Sequence, residues 1–396
     1  MKPAVVVRVL SVALLVALGL LGAPGTVSAA EPQWSGLDAR SYSGPIPAPG
    51  GLIESVPLDP DLWVAGAGAG YRILYATIDQ HDRPAVSTAA VFTPKTQPPQ
   101  GGWPVIAWAH GTVGLGDDCT PSARPRSDRD NEYLHHWLDQ GYAVVGTDYA
   151  GLGTPGLMSY LNSVTTARGV VDSVIAAHHM GLALSPKWAV VGQSQGGGAA
   201  IATARWATEF SAGSGLDYRG VVATGTPAGV ENIVRQAGPQ MAVPPELGPV
   251  ANAYTAYIVA ALRDGRPDLD LNRILTPAGR AATDQAETLC VANLAAALAD
   301  MSLPGFFNAP LSSIPGATEA VDAFMGIPAD GYDRPIFLGV GLLDRDVPPR
   351  LTLQFSDRLT ANGQDVTLKV YPDEDHSGTV LASLPDSTPF LARQFS

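Results

Sequence analysis

The sequence Trp188-Ala-Val-Val-Gly-Gln-Ser194-Gln-Gly-Gly-Gly198 joins an apolar run to an alanine-rich run that begins at Ala199. Apolar runs of this length are typical of buried strands, and alanine has the highest helix propensity, so the two runs predict a strand followed by a helix. Between them, residues 192–196 form a G-x-S-x-G pentapeptide. In a strand-to-helix turn this pattern is a nucleophile elbow, which exposes the serine hydroxyl at the edge of a sheet. The alternative is a glycine-rich turn with an incidental serine.

An acid and a histidine follow two later predicted strands. Asp344 comes after the apolar run 334–341, and His376 comes after the run 364–371. With Ser194 they form the chain order serine, acid, histidine, which differs from the two major serine-protease orders. In such a triad the histidine takes the serine proton while the acid fixes the histidine tautomer. The order therefore predicts nucleophilic catalysis by Ser194.

Asp346 is an alternative for the acid, because it follows the same strand. We favour Asp344 because it lies directly at the strand end, whereas Asp346 abuts Val347-Pro348 on the way to the next helix. The acids at 373–375 are close to His376 in sequence, but adjacent residues seldom orient an imidazole well.

The loop that would complete the site follows the apolar run 103–109. There His110-Gly111-Thr112 follows a predicted strand. In folds with a nucleophile elbow and this triad order, the corresponding loop donates one backbone N–H to the oxyanion hole. The residue after the nucleophile donates the other, so Thr112 and Gln195 are the predicted donors. We interpret His110 as a structural support of this loop. An ordinary turn is the alternative.

The remaining pattern predicts an α/β fold, with a mostly parallel sheet flanked by helices. We place the first part of the core at 70–225, beginning with a hairpin, and the second part at 334–396. Strand–helix alternation stops between them, and helical pieces separated by prolines predict an inserted cap at 226–333. A proline- and glycine-rich extended arm is predicted at 31–69.

Residues 1–30 resemble a secretory signal peptide: Lys2 and Arg8 are followed by a short apolar run and by Ser28-Ala-Ala30. The apolar run is too short for a comfortable membrane span. The sequence therefore predicts export and no stable membrane span after cleavage. Export and the even number of cysteines also predict one disulfide, between Cys119 and Cys290; two free buried thiols are the alternative.

Net charge and motif context disfavour several partners and cofactors. The formal net charge is −13, which disfavours nucleic acid and anionic membranes because both would be repelled. Residues 151–156 match the dinucleotide pattern G-x-G-x-x-G, but Asp148 would repel a pyrophosphate and Pro155 delays a helix, so we interpret them as a tight loop. Neither a cofactor nor a metal site is predicted.

Taken together, the motifs resemble the exported lipases of the Candida antarctica lipase A type and their actinobacterial relatives, from about Tyr71 to the C-terminus. The motifs that carry the resemblance are Trp108–Thr112, Cys119–Ser122, Asp148–Pro155, Gly192–Gly197, Gly341–Pro348 and His376. The resemblance implies a helical cap, a Ser194–Asp344–His376 triad and hydrolysis of carboxylic esters by a triacylglycerol lipase or esterase, with acylglycerols as substrates.

Alternatives within the same fold are an acyltransferase and a serine peptidase, and outside catalysis a binding protein that uses the hydrolase fold. The intact serine, acid and histidine disfavour the last. The long and largely apolar cap favours a lipase over a short-chain esterase.

Overall fold

The computed structural model describes residues 31–244, 247–248 and 250–396. The predicted signal peptide at 1–30 lies outside the described residues. Residues Pro32–Ser396 form one compact unit.

The described residues form nine strands and eleven α-helices. The strands are β1 (Leu52–Pro57), β2 (Ala67–Ile78), β3 (Pro84–Pro94), β4 (Trp103–Ala109), β5 (Ala143–Thr147), β6 (Leu184–Gln193), β7 (Asp217–Thr224), β8 (Ile336–Gly341) and β9 (Val366–Tyr371). The helices are α1 (Asp128–Asp139), α2 (Ser163–His178), α3 (Gln195–Phe210), α4 (Glu231–Val234), α5 (Ala251–Gly265), α6 (Pro277–Ala286), α7 (Val291–Ala297), α8 (Ala317–Met325), α9 (Pro349–Ala361), α10 (Gly378–Ala382) and α11 (Leu384–Phe395).

All nine strands belong to one sheet, in the order β1-β2-β3-β5-β4-β6-β7-β8-β9. The three pairings from β1 to β5 are antiparallel. The five from β5 to β9 are parallel. The predicted α/β fold with a mostly parallel sheet is therefore confirmed.

Both faces of the sheet are covered, because successive side chains of a strand point to opposite faces. On β4, Val105 and Ala107 pack in one buried cluster, which also contains side chains of α2, α3 and α9. Ile106 and Trp108 pack in a second cluster with α1 and α11. The fully apolar strands of the sequence are thus explained by burial on two sides.

The N-terminal arm predicted at 31–69 contains regular structure. It contains β1, which pairs with β2, and β2 already begins at Ala67. Leu58 and Leu62 are buried, each only 2% exposed. Their apolar side chains pack the arm against the core. The prolines and glycines of the arm made its strand, β1, hard to predict from the sequence.

Between β7 and β8 the described part of the chain contains five α-helices, α4 to α8, and no strand. This matches the pattern from which the cap was predicted, and α5 is its longest helix. The predicted helix start at Thr276-Pro277 is also observed, because the Thr276 side chain accepts a hydrogen bond from Gly279 N. The exact extent of the cap as a domain stays a prediction.

A buried acid on α2 makes stability depend on pH. Asp172 is 1% exposed, and Thr77 Oγ1 donates to its Oδ2 over 2.7 Å. Burial raises the pKa of Asp172 to about 7, against the opposing effects of Thr77 and Arg168. The unfolded chain releases this proton near pH 3.9. The fold therefore binds more protons between these values, and the free energy of unfolding falls as the pH rises through them.

We expect Asp172→Asn to remove this dependence, because asparagine keeps the acceptor for Thr77 and never ionises. At pH 4 the variant and the natural chain should have similar stability. At pH 7.5 the variant should be more stable by up to about 4 kcal/mol. Chemical denaturation at both values checks this, and two parallel stability–pH curves would contradict it.

Candidate active site

Ser194 occupies a sharp turn between β6 and α3. Its backbone has φ of 59° and ψ of −127°, and α3 begins at the next residue. Positive φ is uncommon for a residue with a side chain and marks local strain. The turn is held in place because Ser194 N donates to Thr224 O on the neighbouring strand over 3.0 Å. This is the strand–turn–helix context in which a G-x-S-x-G serine is presented as a nucleophile.

The glycines of the pentapeptide are required by contact distance. A β-carbon at Gly192 would overlap the carbonyl oxygen of Gly196, and one at Gly196 would overlap the carbonyl oxygen of Ala109. Both obstacles are backbone atoms, which cannot rotate away as a side chain does. The close approach of β4, β6 and α3 therefore depends on two missing β-carbons.

Gly196→Ala is expected to lower the free energy of unfolding by about 3 kcal/mol or more, because the added carbon forces strand and helix apart. Gly169→Ala on α2 is the matched control, since its β-carbon would come no closer than 3.9 Å, to Tyr75 OH. The free energy of unfolding of that variant should rise by about 0.5–1 kcal/mol, because alanine gives the unfolded chain less conformational entropy than glycine. Urea denaturation of both compares them, and equal stabilities would contradict the packing argument.

Asp344 and His376 form a close pair. His376 Nδ1 lies 2.7 Å from Asp344 Oδ2. A carboxylate oxygen only accepts, so Nδ1 carries the proton and donates it. The other oxygen, Oδ1, accepts from Asp346 N over 2.9 Å and from Val347 N over 2.8 Å. Two backbone donors thus fix the acid, and the acid fixes the histidine ring.

The competing acid, Asp346, has a different partner. Tyr254 OH donates to Asp346 Oδ2 over 3.2 Å, and only the backbone of Asp346 supports Asp344. The geometry thus gives the role beside His376 to Asp344.

The second ring nitrogen of His376 is available for chemistry. Nε2 is buried and has no hydrogen-bond partner among the described residues. Ser194 and His376 line the same cavity. An unprotonated nitrogen in that position can accept the Ser194 proton when a substrate tightens the geometry.

The predicted oxyanion donors lie beside the serine. Gln195 is the first residue of α3, and the first N–H groups of a helix have no partner within it. Thr112 lines the same cavity as Ser194. Its hydroxyl is 2.7 Å from Tyr160 OH, so Tyr160 holds the Thr112 side chain. The donor roles of both residues stay predictions.

His110 supports the loop from below. Its Nδ1 donates to Gly111 O over 2.7 Å, and burial lowers the pKa of His110, which favours the neutral ring. Asp148, at the end of β5, accepts from Ser122 N over 2.8 Å and from Thr88 Oγ1 over 2.6 Å. Asp148 is thus a buried structural acid, and residues 151–156 beyond it contain no helix, in agreement with the tight loop predicted there.

The predicted disulfide is present. Cys119 and Cys290 are bonded. The bond connects the loop after β4 to the cap, and Val291 N donates to Val113 O over 2.8 Å beside it. The cap is therefore attached next to Thr112.

Arg129 on α1 was missed by sequence reasoning. Its guanidinium donates to Gln193 Oε1 over 3.2 Å and to Ser377 Oγ over 3.2 Å. It thus joins the elbow to the loop of His376, and Asp130 Oδ1 balances its charge at 2.7 Å. The only signal in the sequence was a basic residue in an acidic chain.

A large apolar pocket opens from Ser194 under the cap. It encloses about 1050 Å³ of empty space, its mouth included. Its lining is largely aliphatic and aromatic and comes mostly from the cap; examples are Val230, Ile258, Val259, Leu262, Ile274 and Phe307. Ligand pockets are lined mainly by hydrophobic and aromatic side chains with a few polar groups, so the lining of this one suits an apolar group.

The sheet order, the strained serine turn and the Asp344–His376 pair at the same edge together decide the fold. The chain has the α/β-hydrolase fold. Closed-state Candida antarctica lipase A is similar in structure, with a TM-score of 0.70 and 19% identity over 88% of this chain and 82% of that one. The ligand-bound rice cell wall degrading esterase LipA from Xanthomonas oryzae has a TM-score of 0.68 and 20% identity over 87% and 97%. At these identities the likeness shows the fold.

Family models match two segments of the chain. Residues 127–307, from α1 into the cap, match the family described as Secretory lipase. Residues 320–391, which contain Asp344 and His376, match the Prolyl oligopeptidase family. No curated protein matches the chain significantly. The family match, with the fold, supports a carboxylic-ester hydrolase of the lipase and esterase kind.

Among the described residues, no helix combines the length and the apolar character that a membrane span requires.

Proposed function

We propose that this protein is an exported serine carboxylic-ester hydrolase, a lipase or esterase that acts on acylglycerols through an acyl-enzyme on Ser194. The observation that carries the proposal is the position of Ser194. Ser194 lines the apolar pocket and also lines the cavity that contains His376. An acyl chain in the pocket would place its carbonyl carbon at the serine hydroxyl.

The reaction has two halves. Ser194 Oγ attacks the ester carbonyl carbon while its proton passes to His376 Nε2, and the Nδ1–H bond to Asp344 stabilises the imidazolium. The backbone N–H groups of Thr112 and Gln195 bind the oxyanion, which is more negative in the transition state than in the substrate. His376 then protonates the leaving alcohol. Water, activated by His376, attacks the acyl-enzyme and releases the acid and Ser194.

The stretch of helix α5 that lines the pocket favours long acyl chains. Helix α5 lines it from Tyr254 to Leu262, which at 1.5 Å per residue is about 12 Å. Each methylene removed from water contributes about 0.8 kcal/mol, so longer chains gain more from this lining.

The test compares p-nitrophenyl palmitate with p-nitrophenyl butyrate. We expect kcat/KM to favour palmitate, and Leu262→Trp to lower the palmitate-to-butyrate ratio by about tenfold, because the indole fills the pocket. Ile46→Trp, in the N-terminal arm at a position 37% exposed, is the control and should keep the ratio. If both variants had the same palmitate-to-butyrate ratio, the pocket would not explain the chain-length preference.

A serine peptidase is the second candidate, and the match of residues 320–391 to the Prolyl oligopeptidase family favours it. Hydrolysis of peptide p-nitroanilides at rates above those of the esters would favour the peptidase.

Acyl transfer to an alcohol uses the same acyl-enzyme. Product analysis with an added alcohol separates transfer from hydrolysis. Failure of an organophosphonate to label Ser194 would favour a binding protein.

The proposal that the protein is exported has independent support. The matching family is described as secretory, and Cys119 and Cys290 form a disulfide. Disulfides persist in oxidising compartments and are rare in the cytosol.

A further inference from the structure

Ser194 lies at the junction of two cavities with opposite character. The apolar pocket extends under the cap. A second cavity, of about 590 Å³ of empty space with its mouth included, shares Ser194, Tyr254 and Asp346 with the apolar pocket. This second cavity, which we call the polar pocket, is lined by Gly111, Thr112, Val113, Arg129, Asp130, Gln193, Ser194, Tyr254, Asp346, His376 and Ser377.

The position of His376 decides which part of an ester each cavity holds. His376 lines the polar pocket and is absent from the lining of the apolar one. The group that protonates a leaving alcohol must lie within hydrogen-bond reach of its oxygen. The alcohol part of the ester therefore lies in the polar pocket, and the acyl chain lies in the apolar pocket.

The polar pocket contains a carboxylate that can accept further hydrogen bonds. The charge of Arg129 is balanced by Asp130 at 2.7 Å, and two further N–H groups of its guanidinium bind Gln193 and Ser377. Asp346 accepts one hydrogen bond, from Tyr254 OH over 3.2 Å. Over the described ranges it forms no ion pair. A carboxylate offers about four acceptor sites, so most of those on Asp346 are open to a ligand.

We propose, on the basis of the proposed function, that the polar pocket selects esters whose alcohol part carries free hydroxyl groups, and that Asp346 is the residue that recognises them. A monoacylglycerol, or another monoester of a polyol, has this chemistry. A triacylglycerol would place two further acyl chains against charged side chains, which costs free energy because those groups lose water without gaining partners. The preferred acylglycerols are therefore partial glycerides.

The test compares two esters that share acyl chain and alcohol length. In one mixed-micelle system, kcat/KM is measured for 1-monopalmitoylglycerol and for propyl palmitate, which lacks the two free hydroxyls. Hydrogen bonds to a charged group are strong enough that we expect the glyceryl ester to be preferred by about tenfold or more. Palmitoylcholine is the third substrate, because a cationic alcohol would also suit a carboxylate.

Asp346→Ala should lower the ratio of glyceryl to propyl ester about tenfold, towards one. Asp346→Asn, which keeps an oxygen acceptor, should give an intermediate ratio and decides the matter if the alanine variant fails to fold. Asp373→Ala changes an exposed acid two residues beyond β9 and should leave the ratio as it is. A ratio measured within one variant is insensitive to a general loss of turnover.

Three results would overturn the inference: no preference for the glyceryl ester, an unchanged ratio in both Asp346 variants, or a preference for palmitoylcholine. The proposed function fails differently. It fails if no ester is hydrolysed, or if hydrolysis survives in Ser194→Ala.

Discussion

Ser194→Ala is expected to lower kcat for p-nitrophenyl butyrate by about 10⁶-fold, the loss that follows removal of a nucleophile from a triad that acts as a unit. The reason is that the acyl group then has no oxygen to bind, while the pocket and the oxyanion donors remain. Stopped and steady-state assays of the purified protein measure the loss. Thermal unfolding of the same sample shows whether the fold is kept.

Ser312→Ala is the matched control, because Ser312 is an exposed cap residue. It should retain full turnover. Covalent labelling by a fluorophosphonate should occur in the natural chain and in Ser312→Ala, and it should be lost in Ser194→Ala. Turnover by Ser194→Ala comparable to that of the natural chain would exclude Ser194 as the nucleophile.

Asp344→Asn is expected to lower kcat by about 10⁴-fold with little change in structure. The asparagine oxygen still accepts from Asp346 N and Val347 N, which bind Oδ1 in the natural chain. The amide NH₂ then faces His376 Nδ1 and requires that nitrogen to accept. The proton moves to Nε2, which can no longer take the proton of the serine. The loss therefore comes from the wrong tautomer, and kinetics with p-nitrophenyl butyrate measure it.

Asp373→Asn removes the same charge from an exposed acid near His376 and should stay within about twofold of the natural chain, as surface substitutions usually do. If both variants lost the same activity, the effect would be one of local charge, and the Asp344–His376 hydrogen bond would not explain it.

The elements around the serine were predictable because their signals are local. The apolar runs of β4 and β6 and the alanines of α3 indicate their structures within a few residues. The local signal is weaker in β1, whose sequence Leu52-Ile-Glu-Ser-Val-Pro57 is short and ends in proline. It becomes a strand through pairing with β2. Helix α11 contains Pro389 and was not anticipated either.

The site divides in the same way. Ser194, Asp344 and His376 could be proposed from sequence because each follows a recognisable strand and their order is constrained by the topology of a parallel sheet. Arg129 and Tyr160 carry no such signal. They reach the site from α1 and from a loop, through contacts with Gln193 and Thr112 that depend on how distant segments pack.

By itself, then, the sequence determined the fold class, the candidate triad and the cysteine pair, because hydrophobic periodicity, glycine spacing and residue order are properties of the chain. Only the tertiary structure decided which acid faces His376, that an apolar and a polar cavity meet at Ser194, and which of them His376 faces. These features depend on side chains that the fold brings together from the core and the cap. The separation of such residues along the chain does not predict the distance between them in space.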